Sequence, residues 1–215
     1  MTPNTFSLSA VRLLVISFVP PISTTVPGVW FESFFVSSLA AKYYLRALGS
    51  PVGPHQFTDV YDIFKPEDMR TRDVLAQFMV DFSDGIFTPD KEALVNKNPY
   101  GRSIIHNKKI ITAHHDAIIP ATKDGERADI AVQAKASFRL HTAAEIDAQI
   151  CVSKGTKVQV PLLIWLYLGG NTGKEEKHAH KPVVFLDASG CCNRSTLNKF
   201  KLLKRLRSTA GMKTG

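Results

Sequence analysis

Pro161-Leu162-Leu163-Ile164-Trp165-Leu166-Tyr167-Leu168-Gly169-Gly170 is the stretch from which the fold is read. Seven apolar or aromatic residues run without polar alternation into a glycine pair. A half-exposed strand alternates; a continuous apolar run of this length fits a strand covered on both faces, at the centre of a parallel sheet under helices. The two glycines then allow a sharp turn at the strand's carboxyl end, where open α/β sheets place their ligands. The expected fold class is therefore α/β.

The same run resembles the strand that precedes the oxyanion hole in type-B carboxylesterases, the cholinesterase-like α/β hydrolases, of the form Pro-Val-Leu-Val-Trp-Ile-Tyr-Gly-Gly-Gly. Pro161, Trp165, Tyr167, Gly169 and Gly170 fall on that pattern without a gap, and Leu168 takes the place of the first glycine. Three further pieces follow the family order. Pro51, Val52, Gly53 and Phe57 resemble an early Pro-Pro-Val-Gly-x-x-Arg-Phe segment, with Gln56 in place of the arginine. Val152-Ser153-Lys154-Gly155-Thr156 is similar to the Val-x-Pro-Lys-Gly-Thr that ends the preceding strand, and Lys181 to Asp187 to the next strand. The resemblance implies a partial α/β-hydrolase-like sheet with flanking helices, and a small ester as the substrate of the full-length family. It gives Gly169 and Gly170 the role of oxyanion-hole donors, since backbone N–H groups must approach the developing charge closely. A buried strand that simply ends in a Gly-Gly turn has the same sequence.

The departures shape the functional expectation. Where the family has Ser-Glu-Asp-Cys-Leu, residues 143–147 read Ala-Ala-Glu-Ile-Asp; no cysteine precedes Cys151, and Asn-Tyr-Arg is missing after Leu186. Residues 58–142 carry no match. The 215 residues contain no Gly-x-Ser-x-Gly elbow, so no nucleophile is assigned. The expectation is a carboxylic ester hydrolase family member truncated before its nucleophile and inactive by itself. It divides into an apolar lead segment over 1–43, a partial hydrolase-like domain over 44–190, and a basic tail over 191–215.

Charge supplies the alternative. The formal net charge is +8, but Arg194, Lys199, Lys201, Lys204, Arg205, Arg207 and Lys213 stand together without an acidic residue, leaving about +1 for the rest. Leu197, Phe200, Leu203 and Leu206 recur every three residues among them, as in a basic amphipathic helix. Such a helix either packs its leucine stripe on the domain or contacts an anionic partner, nucleic acid or membrane. A small α/β binding or assembly protein is thus the second reading.

At the amino end, Val11 to Val19 fits a short signal-peptide core cut off by Pro20-Pro21, so residues 11–30 imply secretion if they act as a signal and a cytoplasmic protein otherwise. Val29 to Ala41 is apolar but contains Glu32, and no segment reaches about 18 uninterrupted apolar residues. Three cysteines, two of them adjacent at Cys191 and Cys192, make no disulfide framework.

Elsewhere, Thr71 to Phe82 has the spacing of an amphipathic helix, with Val74, Leu75, Phe78, Met79 and Phe82 on one side. Ile104 to Ile111 reads as a strand interrupted by Lys108-Lys109, Ala128 to Leu140 fits helix or strand, and Asp84-Gly85 is a turn. No cofactor or metal is assigned. Asp81 to Glu92 has the ends of a calcium loop but Ile86 at the position that must be glycine. His114-His115-Asp116 puts neighbours on opposite faces of a strand, and His178, His180, Cys191 and Cys192 lack zinc spacing.

Overall fold

A computed structural model describes residues 27–47, 53–61, 69–91, 93–95, 101–107, 115–135, 142–150, 160–167 and 180–187. Leu162–Tyr167 forms strand β9, which lies between β8 (Ile130–Lys135) and β10 (Val183–Asp187) and runs parallel to both. Its side chains divide between two buried layers. Leu162, Ile164 and Leu166 join one cluster, and Leu163 and Trp165 the other. With apolar layers on both faces, no position of the strand is left for a polar residue, which is why the run does not alternate. A central strand was expected over 158–168 and a neighbour over 182–187; strands at Leu162–Tyr167 and Val183–Asp187 fall within those spans, in the same sheet.

That sheet has six strands in the order β10-β9-β8-β5-β4-β3, where β3 is Ile86–Phe87, β4 Ile104–His106 and β5 Ala117–Ile119. The pairs β3·β4, β8·β9 and β9·β10 are parallel, while β5 runs antiparallel to both β4 and β8. The stretch 128–140, compatible with helix or strand in sequence, contains the strand β8; Val132 and Ala134 face one buried layer and Ala131 the other.

One face is covered by α1 (Pro27–Ala47), with proline in its first helical position, where the missing N–H is no loss. Phe31, Phe35, Val36, Leu39, Ala40 and Tyr43 recur at helical spacing and are buried in the first cluster. This helix runs through the 43/44 boundary between the expected lead segment and domain. The other face is covered by α4 (Ala143–Ile150), which contributes Ile146 and Ile150. Its start is a capping box: Glu145 N donates to Thr142 Oγ1 at 3.2 Å, and Thr142 N to Glu145 Oε2 at 2.8 Å. The segment aligned with the esterases' Ser-Glu-Asp-Cys-Leu is therefore helical in this chain. Among the described residues no helix is long and apolar enough to cross a membrane.

A four-stranded sheet, β1-β2-β6-β7, flanks this core; β1 is His55–Gln56, β2 Met79–Val80, β6 Ala121–Lys123 and β7 Glu126–Arg127. Between β6 and β7, Asp124 and Gly125 have φ of 53° and 83°, as a two-residue turn joining antiparallel strands requires. The short α2 (Phe57–Val60) packs beside it.

The helix expected over Thr71 to Phe82 is corrected. The helix α3 spans only Met69–Leu75, a turn follows, and Met79–Val80 is a strand. Phe78 O accepts a bond from Phe57 N at 2.9 Å, which ties the chain into the small sheet. Phe78, Val80 and Phe82 are buried while Met79 is 40% exposed. The period of two dominates the period of 3.6 there because a strand partner is available.

A candidate cation site at the carboxyl end of the sheet

The carboxyl ends of β8 and β9 coincide with the amino end of antiparallel β5, so residues distant in sequence meet there. Asp116 immediately precedes β5, and Gln133 and Lys135 lie two apart near the end of β8. Ala117 pairs with Val132, which sets Asp116 opposite Gln133. Gln133 Nε2 donates to Asp116 Oδ2 at 2.6 Å, and Ala134 N donates to the same oxygen at 2.6 Å. Both bonds fall on Oδ2, which leaves Oδ1 for another partner. Asp116 is held from behind as well: its N–H bonds Val132 O and its C=O accepts from Asn107 N, each at 3.0 Å.

Glu32, in the second turn of α1, lies within electrostatic range of Asp116 and Lys135. It sits on the flank of the apolar stripe, next to Phe31, and is half-buried. Burial pushes its carboxyl up from 4.5 to about 7, the charge of Asp116 pushes in the same direction, and Lys135 opposes both. Asp116 is raised by burial from 3.8 to about 6, against the pull of the Ala134 N–H, Lys135 and Gln133. Two carboxyls that resist ionisation, each felt by the other or by one shared ammonium, form a single electrostatic unit. Gln133 is 4% exposed, and its Oε1 is buried without a hydrogen-bond partner. An orphaned carbonyl oxygen beside the Asp116 carboxyl is an unfilled acceptor position, destabilising unless something positive occupies it.

All three donors are hard oxygens. Among the described residues no three His, Cys, Asp or Glu side chains gather at one point. That excludes a zinc-type cage there but fits Mg²⁺, which keeps several waters and takes one or two protein carboxylates.

The glycines assigned to an oxyanion hole, Gly169 and Gly170, lie outside the described residues, as does Leu168. The strand leading to them ends at Tyr167, in register with Lys135, so its carboxyl end is the same end of the sheet. Arg194, Lys199, Lys201, Lys204, Arg205 and Arg207 also lie outside the described residues, with His114, His178 and all three cysteines. His115 is structural, its Nε2 bonded to Gln149 O at 2.7 Å. Asp81 accepts from Tyr43 OH at 3.0 Å and Ser83 N at 3.1 Å, a turn-stabilising pattern. A cavity of about 130 Å³ opens elsewhere, at the amino ends of β9 and β10 beside Arg70 and Thr71. Its Lys181 is engaged by Asp147.

Sequence reasoning passed over Glu32, Asp116, Gln133 and Lys135. Glu32 registered only as a break in an apolar run, and Asp116 only as the end of a His-His-Asp triplet. The legible signal was Gln133-Ala134-Lys135: two polar side chains on one face of an otherwise apolar strand. No family model, curated protein or solved structure matches the chain.

Proposed function

We propose that the chain is a divalent-cation-dependent phosphodiester hydrolase acting on nucleic acid. The observation that carries this reading is the hydrogen-bonded Asp116–Gln133 pair with its unpartnered Gln133 Oε1 at the carboxyl end of the sheet, within electrostatic range of Glu32 and Lys135. When bound, Mg²⁺ supplies Lewis acidity toward a phosphoryl oxygen and acidifies water at neutral pH. Glu32, Asp116 Oδ1 and Gln133 Oε1 would hold the cation. Gln133 Nε2 and the Ala134 N–H fix the orientation of the Asp116 carboxyl. Lys135 neutralises charge that grows on the phosphoryl oxygens as water attacks phosphorus. Water adds, one P–O ester bond breaks, and the departing oxygen takes up a proton, giving a monoester and an alcohol. A polyanion also suits the cluster of seven cations between Arg194 and Lys213.

The direct test is incubation of purified protein with plasmid DNA, structured RNA and bis(p-nitrophenyl) phosphate, with Mg²⁺ or with EDTA. Cleavage that requires Mg²⁺ and disappears in Asp116→Asn is expected. Mg²⁺-independent or Asp116-independent turnover refutes it. The second reading, a type-B carboxylesterase-like chain without its nucleophile, draws support from the buried parallel strand Leu162–Tyr167 leading toward Gly169-Gly170. It requires no turnover of p-nitrophenyl butyrate and no labelling by a fluorophosphonate.

A further inference from the structure

Trp165 is 1% exposed, in the middle of β9. It pairs in register with Gln133, and Lys135 is its diagonal neighbour on the same face of β8. The Lys135 Nζ lies 5.9 Å from the centroid of the Trp165 ring. A lysine at the end of a strand has four rotatable bonds and, left to solvent, samples many positions. An indole face is the strongest side-chain partner for an ammonium through its ring quadrupole, and the interaction strengthens where water is scarce. Trp165 is itself immobilised in the cluster shared with Leu163, Phe185 and Ile146. The indole is thus a fixed platform and the ammonium the mobile group it restrains.

We propose that Trp165 is a positioning residue, acting through Lys135: its ring holds the ammonium against the cation cluster at the place where a phosphoryl oxygen gains charge. The inference rests on the phosphodiester reading above. A merely space-filling tryptophan predicts loss of stability alone. A positioning tryptophan predicts loss of turnover that vanishes once Lys135 is gone.

The experiment compares Trp165→Phe and Trp165→Leu, each with native Lys135 and with Lys135→Met, using bis(p-nitrophenyl) phosphate and Mg²⁺. Trp165→Leu should lower kcat about tenfold or more, with KM and half-saturating Mg²⁺ within about twofold. Trp165→Phe, which keeps an aromatic face, should recover part of the loss. In the Lys135→Met protein, Trp165→Leu should lower kcat no further. A folded Trp165→Leu protein with kcat within twofold of wild type overturns the inference, as does an equal loss in the Lys135→Met background. If Trp165→Leu does not fold, Trp165→Phe and Trp165→Tyr carry the same comparison. If the wild-type protein cleaves no diester, the functional reading has failed, and the contact is judged by emission. Lys135→Met should shift the fluorescence of Trp165 in a Trp30→Phe protein, and an unchanged spectrum overturns the contact.

Discussion

Asp129, buried, and Asp116, half-buried, each accept a backbone N–H, and their remaining partners differ. Asp129 is 3% exposed and accepts from Ala121 N at 3.2 Å. Both its oxygens are also taken by Arg127, whose Nε lies 2.5 Å from Oδ1 and Nη2 3.1 Å from Oδ2. The guanidinium goes on to bond Gly101 O at 3.0 Å, so the pair ties the β6–β7 hairpin to the loop before β4. Asp116 instead has a neutral glutamine on one oxygen, a second carboxyl nearby, and a lysine that must serve both. A bidentate arginine closes a site. Two carboxyls sharing one ammonium leave it short of positive charge, a deficit that a cation would fill under the proposed function.

The sharpest break in the comparison is activity. Asp116→Asn and Glu32→Gln should each reduce Mg²⁺-dependent diester cleavage by about a hundredfold or more, an effect of about 2.7 kcal/mol. Asp129→Asn should leave Mg²⁺ half-saturation unchanged. If Asp129→Asn abolishes cation dependence as thoroughly as Asp116→Asn, the two aspartates are not distinguished as described.

Stability should respond in the opposite sense. Asp129→Asn leaves Arg127 without its partner and should lower unfolding free energy by about 2 kcal/mol, read from the urea midpoint. Glu32→Gln should raise it by about 1–2 kcal/mol at pH 8, after allowance for solvent screening. The sign follows from linkage. Glu32 and Asp116 have folded-state values raised above their ordinary ones, so the folded chain holds more protons than the unfolded chain between pH 4 and 7. Stability therefore falls as pH rises through that window, and replacing Glu32 by a neutral isostere removes part of the fall. A Glu32→Gln protein whose midpoint tracks wild type from pH 4 to pH 8 would show that Glu32 is not buried against Asp116.

Mg²⁺ should reverse the same trend. Its stabilisation of the wild-type protein, measured as a rise in Tm, should grow from pH 5.5 to pH 8 as both carboxyls give up their protons. A rise in Tm that is the same at both pH values, or that persists in Asp116→Asn, places the cation elsewhere. The smallest effect concerns neither aspartate. Thr142→Ala removes the cap of α4 and should cost about 1 kcal/mol with cleavage per folded molecule unaffected.

Some of this was legible early. The unbroken apolar run of β9 announced a doubly covered strand, because burial on both faces leaves only one kind of side chain at every position, and its neighbour over Val183 to Asp187 was expected from the resemblance to the esterase segment. Thr71 to Phe82 misled, since Phe78 and Phe82 fit a helical stripe as well as they fit every second position of an extended chain; the pairing of β2 with β1 and β6 decided between them.

The cluster at the end of the sheet was not legible in this way. Glu32 and Asp116 are 84 residues apart, and nothing local in either segment marks the other. By itself the sequence determined the α/β class and the central strand, because these depend on periodicity within a few residues, while it left 128–140 open between helix and strand. Only the tertiary structure decided that antiparallel β5 brings Asp116 to the carboxyl end of β8, and that α1 brings Glu32 within electrostatic range of it. Those meetings are set by strand direction and by which face each helix covers, and the charges that gather there are a consequence of packing that no local pattern encodes.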